Sequence, residues 1–264
     1  MLSKLVDPDA AHDDMVNERD WINSEVRFSH LRAYGRSPMH GQHARQQDMK
    51  QTRDMQRGSA VHHLIFGTKK VVGYTGSVRR GKEYDAFAEK HPGAEILTMA
   101  EYDKAMFMAE AVIDNPLAKP LLKGVTEETI RFDWMGLRCR ATPDVRGQGF
   151  LTELKTAKSA DPQKFLWSAL RLQYPAQMRM QQIAAGQKLG EGICYIVCVE
   201  SETPHPVTVF RIDDKALLLG ERNLILWAER LKGCESSNAF PGYAQDIVPL
   251  IAPEDDVLEY GDDE

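Results

Sequence analysis

The stretch from residue 128 to 232 constrains the fold of this 264-residue chain more than any other. Three short runs, "ETIRFDW", "LRCRATPDV" and "GFLTELKT", read as strands joined by glycine-containing turns. "PQKFLWSALRLQ" then has helical spacing, and Pro175 can open a second helical stretch, "AQMRMQQIAAG". "GICYIVCVE" and "PVTVFRI" return to strand, and "DDKALLLGERNLILWAERLKG" is a long amphipathic helix. Strands, helices, strands and a helix, in that order, specify an α/β fold with a central mixed β-sheet flanked by helices.

The upstream half adds helices to this frame. In "FSHLRAYGRSPMHGQHAR", Ser29 is predicted to cap a short helix that stops before Ser37-Pro38. Residues 57–66, "RGSAVHHLIF", read as an apolar helix, and 69–98 lack periodicity and read as loops. "AEYDKAMFMAEAVIDNP" repeats apolar residues at Ala105, Met108, Ala109 and Val112, a helix ended near Pro116. Residues 1–24 read as irregular or weakly helical. A chain of this length accommodates one large domain, expected over 1–253, with its core over about 28–232 and a separate tail at 254–264.

Charge does not exclude a polyanionic partner. The formal net charge is −6, but the tail "EDDVLEYGDDE" holds seven acids and no base. Of 39 acids that leaves 32 facing 33 bases, and Arg131, Arg138, Arg140, Arg146, Lys155, Lys158, Lys164, Arg171 and Arg179 crowd the middle of the chain. Such a body can present one basic face. The tail itself reads as a solvated end, or as a mimic of nucleic acid. The first twenty residues contain no apolar signal-peptide core. Cys139, Cys194, Cys198 and Cys234 form no CxxC pair and read as core thiols in a reducing cytoplasm, not as a zinc or iron–sulfur site.

The chemistry concentrates in "TPDVRGQGFLTELKT". Glu153 and Lys155 lie two apart on one strand and so share a face, with Leu154 turned to the core. If this strand forms a hairpin with "LRCRATPDV", Asp144 at the end of the latter reaches the same region. Two converging carboxylates suit Mg²⁺ or Mn²⁺, and a lysine beside them can orient a water or stabilise charge growing on a phosphate. The spacing alone equally allows a surface hairpin with scattered charges.

The "PD…ELK" pattern resembles the PD-(D/E)xK nuclease superfamily, and other stretches resemble its RecE-type branch of phage recombination exonucleases, the exonuclease VIII-like proteins. "GSAVHHLIFG" is similar to the histidine-bearing helix of that branch and "FSHLRAYGRSPMHGQ" to its opening S-x-L…SP stretch. "LQYPAQMRMQ" is similar to its glutamine-bearing helix, and all stand in the right order from about residue 28 to 232. The resemblance implies Asp144, Glu153, Lys155 and Gln177 as catalytic residues. It implies His62 as a metal ligand with Asp144 and Glu153, and Glu128 as an assistant to a second metal. It implies Mg²⁺ or Mn²⁺ as cofactor and ends of double-stranded DNA as substrate. Digestion would run 5′ to 3′ and leave 3′ single strands for a single-strand annealing partner. It further implies a homo-oligomeric ring in the cytoplasm of a bacterium or phage-infected cell. An endonuclease of the same superfamily and a non-catalytic DNA-binding protein on the same fold are the alternatives. Gln181 departs from the pattern, since related nucleases often carry tyrosine there.

Overall fold

The computed structural model describes residues 25–47, 52–76 and 78–250; the expectations for residues 1–24 and for the acidic tail lie outside them. The central sheet has the order β3(Val125–Thr126), β6(Val145–Gly147), β7(Phe150–Ala157), β8(Ile193–Glu200), β9(Val207–Ile212). Only β7 and β8 run parallel; the other pairs are antiparallel. A parallel pair needs a crossover, which is supplied by α6(Pro162–Arg171) and α7(Tyr174–Ala184). The sheet is thus mixed and helix-flanked, as the strand order predicts.

Period-two alternation assigns the two faces. Leu151, Glu153 and Lys155 of β7 pair with Cys194, Ile196 and Cys198 of β8 and share a face. Part of that face is closed by Phe165 and Ala169 of α6, part by Met178 of α7 and Leu217 of α8(Asp214–Ser237). Leu154, Val197 and Val199 point the other way, into a core with Ala60 and Val61 of α3(Arg53–Phe66). Ala105, Met108, Ala109 and Val112 of α5(Met99–Asp114) complete that core, the apolar face its spacing predicts. All four cysteines are buried and free, and burial pushes the Cys139, Cys194 and Cys198 thiols up to about 12.

Three expectations are corrected. Residues 69–98 are not loops: they form β1(Val71–Tyr74), α4(Lys82–Lys90) and β2(Glu95–Thr98), with β1 and β2 parallel. Ser29 does not cap α1(Phe28–Arg36); it lies inside the first turn, after Arg27. Ser37 instead starts a second helix, α2(Pro38–Gln46), its hydroxyl accepting the His40 N–H with Pro38 in the first turn. Finally, "LRCRATPDV" is not one strand paired with "GFLTELKT". Pro143 cannot donate to a ladder, and the run divides into β5(Leu137–Ala141), which pairs with β4(Ile130–Trp134), and the short β6, which pairs with β7.

Candidate active site

The site forms where β6 stops and β7 continues. The β6–β7 ladder reaches only Val145↔Thr152. The backbone of Leu154 therefore has no strand partner on that side, and buried backbone groups require one. Asp144, which immediately precedes β6, accepts the Leu154 N–H on Oδ2 at 2.6 Å. The Leu154 carbonyl lies 3.1 Å from Nε2 of His62. His62 can reach it because α3 crosses β7 closely at Gly58, one turn earlier: a Cβ there would lie 3.0 Å from the Thr156 hydroxyl oxygen. His63, next along the helix, turns away and meets the Thr68 hydroxyl at 2.7 Å.

A third group enters from the loop after β3. Glu127 has a left-handed backbone, φ 54°, and its N–H donates to the Asp144 carbonyl at 3.2 Å. This turn aims its carboxylate inward, so that Oε1 lies 3.6 Å from Nδ1 of His62; Oδ1 of Asp144 lies at the same distance. His62, Glu127 and Asp144 present one donor atom each, all within 4.8 Å of one another. Glu128, the acid singled out by the sequence, does not join them; it faces outward in an ion pair with Arg146.

Glu153 approaches from the opposite face of β7 and is held by three donors. Lys155 Nζ and Gln177 Nε2 donate to its Oε1 at 2.6 and 2.5 Å, and Gln181 Nε2 donates to Oε2 at 2.7 Å. The two glutamines lie one turn apart on one face of α7, whose start is pressed close by α8: a Cβ on Gly220 would lie 2.6 Å from the Ala176 nitrogen. Lys155 also sits 4.9 Å from the centre of the Tyr174 ring. Gln181 had signalled only a departure from a pattern; that it binds Glu153 emerges from the fold.

Burial and crowding set the protonation of these groups. Burial first, and then the neighbouring Glu153, push the Asp144 carboxyl up to about 7. Burial opposes the charge of His62, but Asp144, Glu127 and Glu153 outweigh it and raise its pKa. Burial likewise opposes the charge on Lys155, and Glu153 and Asp144 outweigh it. A compact group of carboxylates with one imidazole, and no thiol among the clustered donors, fits a hard divalent cation such as Mg²⁺ or Mn²⁺. The site opens on a cleft of about 500 Å³ that includes His62, Glu127, Asp144 and Lys155, with Met55 on its rim. Met55 also borders a cleft of about 680 Å³ lined by Arg27, Arg32, Arg36 and Arg171. Several cations that the sequence offered for a basic face are otherwise engaged: Arg131 and Arg140 with Glu25, Arg146 with Glu128, and Arg179 with Glu221.

The family described as a PDDEXK-like domain of unknown function (DUF3799) matches residues 27–249. A crystal structure of a "Putative exonuclease" from Eubacterium rectale superposes with a TM-score of 0.62 at 12% identity, covering 95% of this chain and 97% of that one. Two structures of LHK-Exo, an alkaline exonuclease from Laribacter hongkongensis, one of them with dAMP, give TM-scores of 0.41 and 0.33. Both are 15% identical and cover 83% of this chain and 95% of theirs. No curated protein matches the chain.

Proposed function

Because the chain belongs to the DUF3799 family of PDDEXK-like domains, we propose that it is a metal-dependent deoxyribonuclease acting on the ends of linear duplex DNA. The observation that carries this reading is the convergence of His62, Glu127 and Asp144 within 4.8 Å, beside a Glu153 held by Lys155 and Gln177. His62, Glu127, Asp144 and Glu153 would hold Mg²⁺ or Mn²⁺. Such an ion, when bound, lowers the pKa of water and neutralises charge on the scissile phosphate.

The protein's own groups do the rest. Asp144 is fixed by the Leu154 N–H, so its second oxygen stays turned to the ligand cluster. Lys155, charged and buried beside Glu153, can orient the attacking water and stabilise charge growing on the phosphate oxygens. Gln177 fixes the Glu153 oxygen that Lys155 also contacts. The cleft lined by Arg27, Arg32, Arg36 and Arg171 adjoins the site at Met55 and offers the phosphodiester backbone a cationic wall. The finer features follow the RecE-type resemblance: 5′ to 3′ polarity, 3′ single strands passed to an annealing protein, and a ring enclosing the duplex.

The test compares linear duplex labelled at either 5′ or 3′ ends with covalently closed circles in Mg²⁺. Wild type is expected to degrade the linear DNA and spare the circle, to release 5′ label first, and to stop in EDTA. Asp144→Ala and Lys155→Ala are each expected to lose about 100-fold or more in rate while still folded. Nicking of the circle would replace the exonuclease reading with an endonuclease one. Undiminished cleavage in chelator, or by folded Lys155→Ala, would remove the mechanism.

A further inference from the structure

Two glutamines stand side by side in α7, both buried, and the protein uses them differently. Gln182 is satisfied at both ends: Nε2 donates to the Gly192 carbonyl at 3.0 Å, and Oε1 accepts from Arg179 at 3.3 Å. Gln181, 3% exposed, donates to Glu153 Oε2 at 2.7 Å, while its own Oε1 is buried without a partner. An orphaned buried acceptor destabilises the fold and calls for a reason. Turning the amide over provides no relief, because it would set Gln181 Oε1 against the carboxylate oxygen of Glu153.

We infer that Gln181 is a positioning residue: it fixes the rotation of the Glu153 carboxylate and determines which lone pair is left to meet a cation. A carboxylate has two oxygens and about four lone-pair sites. Among the described residues, Lys155 and Gln177 occupy two on Oε1 and Gln181 occupies one on Oε2. One direction on Oε2 remains. Without Gln181 that oxygen would have two free directions, and the carboxylate could turn about the Oε1 contacts. The half-satisfied amide is thus explained by what it does to Glu153, not by what it adds to the fold. The inference rests on the metal-nuclease reading above.

The test is titration calorimetry of the full chain with Mn²⁺ and no DNA, paired with thermal unfolding of the same samples in chelator. Gln181→Met conserves volume and removes both the donor and the orphaned acceptor. It is expected to weaken Mn²⁺ binding about 10- to 100-fold, the usual effect of losing a residue that orients a ligand, with a Tm no lower than wild type. Gln182→Met serves as the contrast. It is expected to lower the Tm and leave Mn²⁺ affinity within about twofold, because it breaks bonds of the fold alone. If Gln181→Met does not fold, Gln181→Asn, which withdraws the amide by one methylene, is held to the same criterion. Wild-type Mn²⁺ affinity in a folded Gln181 variant would overturn the inference while leaving the nuclease reading intact. Absence of Mn²⁺ binding by wild type would overturn both.

Discussion

Glu127→Gln is expected to weaken Mn²⁺ binding about 100-fold, and Glu128→Gln to leave it unchanged. The donor atoms of His62, Glu127 and Asp144 lie within 4.8 Å of one another. An ion within such a triangle is roughly 3 Å from each atom. At that distance a divalent ion and a carboxylate attract by about 3 kcal/mol even with the dielectric constant of water. The glutamate side chain is 30% exposed, so the aqueous figure is the appropriate one. At 1.4 kcal/mol per tenfold, neutralising it loses about two orders of magnitude. Glu128 is 45% exposed and paired only with Arg146, an arrangement worth about 0–1 kcal/mol to the fold and nothing to the cluster. Glu127→Gly separates ligand loss from misfolding. Its left-handed φ of 54° costs a residue with a side chain about 1–2 kcal/mol, and glycine returns about 0.5–1 kcal/mol of that as chain entropy. The glycine variant should therefore be as stable as wild type, or more stable by up to about 1.5 kcal/mol, by urea unfolding in chelator. Calorimetry with Mn²⁺ reads the binding. Retention of affinity within threefold by Glu127→Gln, or its loss in Glu128→Gln, would refute the assignment.

Two further outcomes are expected. His62→Ala should slow cleavage about 10- to 100-fold and His63→Ala by less than twofold, because only His62 faces Glu127 and Asp144; equal losses would show that the helix register is misread. His30, 5% exposed, has its pKa lowered to about 4 by burial and then by the charges of Arg27, Arg45 and Arg140. The folded state thus binds a proton less readily than the unfolded chain at about 6.5. The stability associated with neutral His30 is complete above pH 6.5 and is lost as pH falls toward 4, about 2 kcal/mol having gone by pH 5. His30→Gln should therefore gain about 2 kcal/mol relative to wild type between pH 7.5 and pH 5 in urea unfolding. A difference independent of pH would mean that the ring protonates freely in the fold.

The sequence exposed the fold where burial imposes a period. The buried row Ala105, Met108, Ala109 and Val112 marks α5, and the apolar Leu154 set between Glu153 and Lys155 marks β7. It was silent over residues 69–98 because α4 has no buried residue and β1 and β2 span four residues each, too short to display alternation. In the site, Glu153 and Lys155 share a face because strand spacing dictates it, and Gln177 meets Glu153 from the helix, whereas Asp144 is placed by its bond to the Leu154 N–H and not by a strand period. Glu127 was beyond reach for a physical reason. Two adjacent glutamates have the same composition and charge, and only a positive φ, fixed by the bond from Glu127 N–H to the Asp144 carbonyl, selects which one turns inward. The role of Gln181 depends equally on how closely α7 lies over β7, a packing distance that no residue pattern states.

The crossover between β7 and β8 has a consequence for the order in which the chain is made. His62, Glu127, Asp144 and Glu153 all leave the ribosome before the helix that carries Gln177 and Gln181, and α8, which presses on the start of that helix, emerges later than β8. A growing chain of 160 residues would already carry every carboxylate of the site but none of the amides that clamp Glu153. Since domains fold as units during synthesis, the clamp on Glu153 closes only when residues near 220 have reached the start of that helix. A product interrupted before residue 177 carries the acids of the site without the amides that clamp Glu153 in the finished molecule.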